Sequence, residues 1–183
     1  MKTESATDPK FSTQTPPGVG PTLYPLFLTM LRETYWAENH LVKVLPVMID
    51  AATTPKLKET ITTHLGETEE QVARLETIFN LLEEKAIAKK CIAVEGLAKE
   101  GEAVIEITLE AGLVRDAGII LANQKVEHYE IATYSGLIRL ADALGLEEVI
   151  EILNQTLEEE LNSDMKLTEI ATNDVNGQAV EVS

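Results

Sequence analysis

From Leu23 to Ala51, apolar residues return every three or four positions through Phe27, Leu31, Leu41, Leu45 and Met48, and the same stripe takes in Thr34 and Glu38. That spacing is the period of an amphipathic helix. It predicts a first helix from near Thr22 to Ala51, bent in its last turns by Pro46. Thr53 and Thr54 break the chain, and Pro55 suits the first turn of a second helix running to about Glu84. Its stripe is Leu57, Ile61, Leu65, Thr68, Val72, Leu75, Phe79 and Leu82. A shorter third helix is predicted over residues 91–110, with Gly112 as its stop. A fourth runs from Asp116, a good N-cap, to Ala143 and is stopped by Gly145. The fifth runs from Leu146 to about Thr172, with Val149, Leu153, Leu157, Glu160, Asp164, Leu167 and Ala171 along one face.

Four helices of this length each span roughly 40 Å. Helices one and two form one antiparallel pair, and four and five another. With the short third helix as the crossover, the prediction is an all-α, ferritin-like four-helix bundle with an additional helix in the crossover. An irregular five-helix stack without a metal is the competing arrangement. Residues 1–21 carry Pro9, Pro16, Pro17, Gly18 and Gly20 without periodicity and read as a flexible arm. The bundle domain takes residues 22–173, and 174–183 read as a C-terminal tail.

At 183 residues the chain is long enough for one well-buried core. A formal charge of −16 argues against nucleic acid or an anionic membrane as partner and is compatible with attracting cations. The single cysteine, Cys91, excludes an internal disulfide and a Cys-rich zinc or iron–sulfur site. Neither a membrane-length apolar run nor a signal-peptide core is present, so a soluble, cytoplasmic protein is expected.

The acids inside the stripes change the picture. A buried, unpaired carboxylate costs several kcal/mol, on the order of 2–7 even for milder polar groups, so a sequence that places several must supply cations or protons. Glu38 is followed by Glu67, with Gln71 four residues on; Glu127 is followed by Glu160, with Asp164 four residues on. Each hairpin thus offers an acid on its first helix and a polar couple on one face of its second. Two such half-sites related by pseudo-symmetry would hold two metal ions. Glu38, Glu160 and Asp164 have apolar stripe neighbours on both sides. Glu130 follows Ile119, Asn123 and Val126, while Glu127 lies on the adjacent line through Ile120 and Tyr134, so either or both could face inward. Glu67 and Gln71 sit at the edge of their stripe. His64 falls on the inner face one turn before Glu67, as a ligand or a hydrogen-bonded core residue; His128 adjoins Glu127, and His40 looks exposed. Glu158 and Glu159 read as surface charge, and Glu95 as either interior or surface. Carboxylate-rich ligation suits iron or manganese.

The stretches YWAENHL (35–41), HLGETEEQVARL (64–75), CIAVEGL (91–97), QKVEHYEIATY (124–134) and TLEEELNSDMKL (156–167), in this order, resemble the YciF/YciE-type bacterial proteins, stress-associated members of the ferritin-like superfamily. The resemblance covers about residues 22–176. It implies a homodimer and a rubrerythrin-like centre of two iron or manganese ions, with Glu38, Glu67, Glu127, Glu130, Glu160 and Asp164 as candidate ligands and His64 and Gln71 nearby. One departure stands out. The usual pattern places Glu-x-x-His on the second and last bundle helices; here Gln71 and Asp164 stand one residue beyond the expected histidines. The function implied is a metal-binding stress protein able to meet oxygen or peroxide. An iron-storing cage and a structural or partner-binding bundle without metal are the alternatives.

Overall fold

The computed structural model describes residues 23–108 and 112–181. The predicted arm, residues 1–21, lies outside them. The chain forms α1 (Leu23–Ala51), α2 (Pro55–Leu81), α3 (Ile92–Ile107), α4 (Leu113–Leu144) and α5 (Glu147–Ile170), and among the described residues there is no strand. α1 packs on α2 and α4, and α5 packs on α2 and α4, which closes a ring of four long helices. The start of α1 (Phe27, Leu31) meets the end of α4 (Leu137, Ala141), so these two also run antiparallel. α3 carries the chain back along the outside of α1 and α4. This is the ferritin-like bundle with a short crossover helix. Among the described residues, no helix is long and apolar enough to cross a membrane.

The α1 stripe is buried as its spacing predicts, and α1 continues through Pro46 without a break. α2 buries His64 and Gln71, while Leu65 and Val72 stay partly exposed. α3 docks closely because Gly101 lacks a side chain: a Cβ there would lie 2.8 Å from Met48 Cε of α1. α4 starts at Leu113 behind Gly112, whose φ of 140° favours glycine. Asp116 therefore caps nothing on its own helix. It is fully buried and accepts hydrogen bonds from the backbone N–H and the hydroxyl of both Thr53 and Thr54, at 2.5 to 2.8 Å. The acid thus pins the Thr53–Thr54 turn that leads into α2 from a distant segment. Gly145 ends α4 in the left-handed conformation, as predicted.

The chain after α5 differs from the expected tail. It passes through a π-helical turn, Ala171–Val175, into α6 (Asn176–Glu181). Val175 is buried with Leu57, Leu167 and Ile170, and Lys56 holds the Asp174 carboxylate at 2.8 Å. One extra residue in a helical turn rotates the side chains beyond it, and here it turns a single valine into the core of an otherwise polar segment.

The interior has two apolar ends. One gathers Leu41, Leu45, Met48, Leu57, Ile61, Ile119 and Ile120; the other gathers Phe27, Leu31, Leu75, Phe79, Leu137, Val149 and Leu153. Between them lies a layer of buried polar side chains.

Candidate metal centre

Every long helix contributes to that layer: α1 gives Glu38, α2 His64 and Gln71, α4 Glu127 and Glu130, and α5 Glu160, each no more than 3 % exposed. The neutral polar residues nearby are settled locally. Thr34, Thr68 and Asn123 each donate to the carbonyl four residues back on their own helix. A carboxylate has no such option, since it only accepts.

Three acids find one donor each. Tyr134 donates to Glu38 Oε1 at 2.5 Å, Gln71 Nε2 to Glu160 Oε1 at 2.5 Å, and Ser163 Oγ to Glu127 Oε1 at 2.8 Å. His64 Nε2 stands 3.6 Å from Glu127 Oε1, beyond hydrogen-bond range. Much of the layer's hydrogen-bonding capacity is unused. Among the described residues, nine buried side-chain nitrogens and oxygens have no partner, and all but Arg32 Nε belong to this layer: Glu38 Oε2, both His64 nitrogens, Gln71 Oε1, Glu127 Oε2, both Glu130 oxygens and Glu160 Oε2. His64, Glu127, Glu130 and Glu160 each offer a ligand atom, and these atoms lie within 4.8 Å of one another. That span is close to the ~4 Å between opposite ligands on one ion.

The remaining candidates lie further out. Glu67 is half-buried, its carboxyl pushed up by burial and by Glu159 and Glu160, while Lys166 pulls it down. Asp164 sits on the flank of α5, where Gln124 Nε2 donates to Oδ1 at 3.2 Å and His128 Nε2 lies 3.3 Å away. The inner line of α5 runs through Thr156, Glu160, Ser163 and Leu167, one residue off the line drawn through Leu157 and Asp164. Glu127 and Glu130 both face inward, so neither is a solvated flank residue. Glu159 is more than surface charge: Arg74 grips both its oxygens at 2.5 and 2.6 Å, and Gln71 Nε2 reaches it at 3.2 Å. Glu95 belongs to the surface, paired with Lys90 and Lys99. Ser163 had no sequence signal as a partner of the acids, whereas Tyr134 lies close in sequence to Glu130, one turn beyond it, and could be expected to hydrogen-bond one of them.

A family model described as "Domain of unknown function (DUF892)" matches residues 22–180. The chain belongs to this family. It is 42 % identical over 159 residues to protein YciF of Escherichia coli K12, covering 86 % of this chain and 95 % of that protein. The crystal structure of the E. coli stress protein YciF superposes with a TM-score of 0.81 at 41 % identity, over 86 % of this chain and 99 % of the other. YcfI from Rhodopseudomonas palustris, described as a putative structural protein, gives 0.79 at 37 % identity, over 86 % and 97 %. The family description names no activity.

Burial and the nearby Glu160 carboxylate push Glu38 up to about 8, against the pull of the Tyr134 hydroxyl. Glu127 and Glu130 are also raised, by burial first and neighbouring acids second. Burial lowers His64 from its ordinary 6.5. An acid with a raised folded value keeps a proton that the unfolded chain releases. Its contribution to stability is full below the unfolded value and is lost as pH rises through the folded one. His64 acts only on the acid side, where the unfolded chain takes up its proton below 6.5. From pH 6.5 to 8 the acids therefore decide the slope. Metal-free protein is expected to lose stability at up to about 1.4 kcal/mol per pH unit for each acid kept protonated. Melting curves in chelator at the two ends of that window test this, and a melting temperature that climbs with pH contradicts it.

Proposed function

We propose that this chain is a metal-binding relative of the stress protein YciF, holding two iron or manganese ions in the buried carboxylate layer. The unpartnered buried atoms of Glu38, His64, Glu127, Glu130 and Glu160 carry the reading. Shared protons could link Glu38 to Glu130 and Glu127 to Glu160 but would leave the His64 nitrogens without partners, whereas cations would engage the imidazole and the carboxylates together. Four buried carboxylates balance two divalent ions, and a donor set of oxygens plus one imidazole suits iron or manganese. Bound iron or manganese would supply one-electron chemistry toward oxygen or peroxide.

The protein's own groups set the terms for that chemistry. Tyr134 and Ser163 fix one oxygen each on Glu38 and Glu127 and leave the other oriented inward. Gln71 links Glu160 to Glu159, which Arg74 anchors at the bundle surface, so the Glu160 carboxylate is held from outside. Apolar side chains above and below the layer exclude water. Glu67 and Asp164 stand at its rim and are assigned to capture or relay of ions rather than to the inner set. With Cys91 as the single cysteine, electrons for repeated turnover would have to come from another molecule.

Elemental analysis tests the reading, on protein purified without chelators or a metal-affinity tag. About two iron or manganese ions per chain are expected, as for other paired-carboxylate bundles. No bound metal after anaerobic iron loading overturns the proposal. It would leave the second reading, a structural bundle with protonated interior acids, which the description of the R. palustris relative favours.

A further inference from the structure

A cavity of about 660 Å³ opens on the opposite side of the molecule from α2 and α5, between α1, α4 and the residues that lead into α3. It uses none of the inward acids, and the one carboxylate on its wall, Glu33, is paired with Lys89 at 2.7 Å. Its walls are mainly apolar: Met30 from α1, Ile92 and Ala93 from the start of α3, and Ala132, Gly136 and Leu137 from α4. Tyr129 and Cys91 form one polar edge, hydroxyl and thiol 3.1 Å apart. Lys89 and Lys90 stand at the mouth.

Three features make this more than a surface hollow. Glycine inside a long helix costs about 0.5–1 kcal/mol relative to alanine, yet Gly136 sits within α4 on the cavity wall, and a Cβ there would meet nothing within 4 Å. The missing side chain leaves space that no other residue fills. The roof is held in place: Lys89 N–H donates to the Arg32 carbonyl at 3.0 Å, and Arg32 reaches Glu84 at 3.3 Å. Finally, Lys89 and Lys90 stand side by side in a chain whose net charge is −16. The Lys89 and Lys90 side chains are more than half exposed, and their pairs with Glu33 and Glu95 are surface pairs, which are weak enough to exchange for another anion. Ile92 is 80 % exposed beside them.

We propose that this cavity binds a small amphipathic anion, an aliphatic or aromatic carboxylate. Its apolar body lies over Ala132, Gly136 and Leu137, and its charged head meets Lys89 and Lys90. The volume falls in the ~300–1,000 Å³ range of small-molecule sites, and apolar walls with a few convergent polar groups are what such sites present. Positive charge concentrated beside an apolar hollow selects for an anion with a tail.

Titration calorimetry with decanoate on the full chain in chelator tests this. One molecule per chain is expected. Gly136→Leu fills the hollow and should weaken binding at least about tenfold, a 1.4 kcal/mol change, while the melting temperature holds or rises. Lys89→Glu with Lys90→Glu should weaken binding by a similar factor without altering the fold. Acetate, which has the charge without the tail, should not displace decanoate. Absence of binding to the wild-type chain overturns the proposal. So does equal binding by both variants, or displacement by acetate. Light scattering run alongside adds one further overturning result: a dimer that Gly136→Leu dissociates, with no decanoate bound, would make this face a contact between copies.

Discussion

Replacing Glu160 with alanine is expected to empty the centre, taking bound iron or manganese from about two ions per chain to a trace, since inward carboxylates are what hold paired ions in such a bundle and this one sits among the others. Glu160 is fully buried and is the only acid that α5 sends into the layer. It is also the charge that Glu38, Glu127 and Glu130 all feel. Without it, Gln71 keeps only its longer bond to Glu159, at 3.2 Å, and α5 sends no carboxylate into the layer. Elemental analysis and calorimetric titration with Mn(II) read the effect directly. Wild-type stoichiometry in Glu160→Ala would sink the ligand assignment. Glu158→Ala, on the exposed face of the same helix, is the control and should bind normally. A leucine at position 160 should act differently on the metal-free protein. It removes a buried acid and extends the apolar ends toward each other, so Glu160→Leu is expected to raise metal-free stability by about 1–4 kcal/mol.

The second large effect lies away from the layer. Asp116→Ala is expected to destabilise the fold by about 3–5 kcal/mol, a sizeable part of the 5–15 kcal/mol that holds a domain together. The carboxylate accepts from two backbone N–H groups and two hydroxyls, and it is fully buried. Hydrogen bonds to a charged acceptor are worth more than neutral ones, and the exposed Thr53 and half-buried Thr54 would lose their acceptor. Because these bonds join the α1–α2 corner to α4, their loss loosens the α1–α2 hairpin and the crossover together. Asp116→Asn keeps the shape but offers a single acceptor oxygen, and should fall between. Urea denaturation measures both variants; a loss below about 1 kcal/mol for the alanine variant would show that other contacts hold this corner.

Asp116 also shows where the sequence stops being legible. An aspartate before an apolar run reads as an N-cap, because local pattern sees only the helix ahead of it. Its real partners lie more than sixty positions earlier in the chain, and no local rule reaches that far. The helices themselves were legible, since a buried stripe of 3.6-residue period needs only local spacing. So was the inward placement of Glu38 and Glu160, flanked by apolar stripe residues. The α5 register was not. A line drawn through Asp164 and one drawn through Ser163 differ by a single residue, about 100° of rotation, and the choice is made by packing against α2 and α4. The stripe of α4 is wide enough to bury both Glu127 and Glu130, which a one-residue line cannot express. The π-helical turn was hidden because only Val175 distinguishes it from a polar tail.

The layer of ionisable groups draws on all four long helices, from Glu38 near the start of the chain to Glu160 near its end. Neither hairpin alone holds the full set of donors. A chain truncated before α5 would lack Glu160 and Ser163 however well its first helices formed. Whatever occupies the layer therefore recognises the completed molecule and no smaller part of it. Its binding energy is set against unfolding of the whole bundle rather than fraying of one end, so the same four-helix origin that makes the site hard to see in any one segment makes its occupancy a report on the integrity of the entire chain.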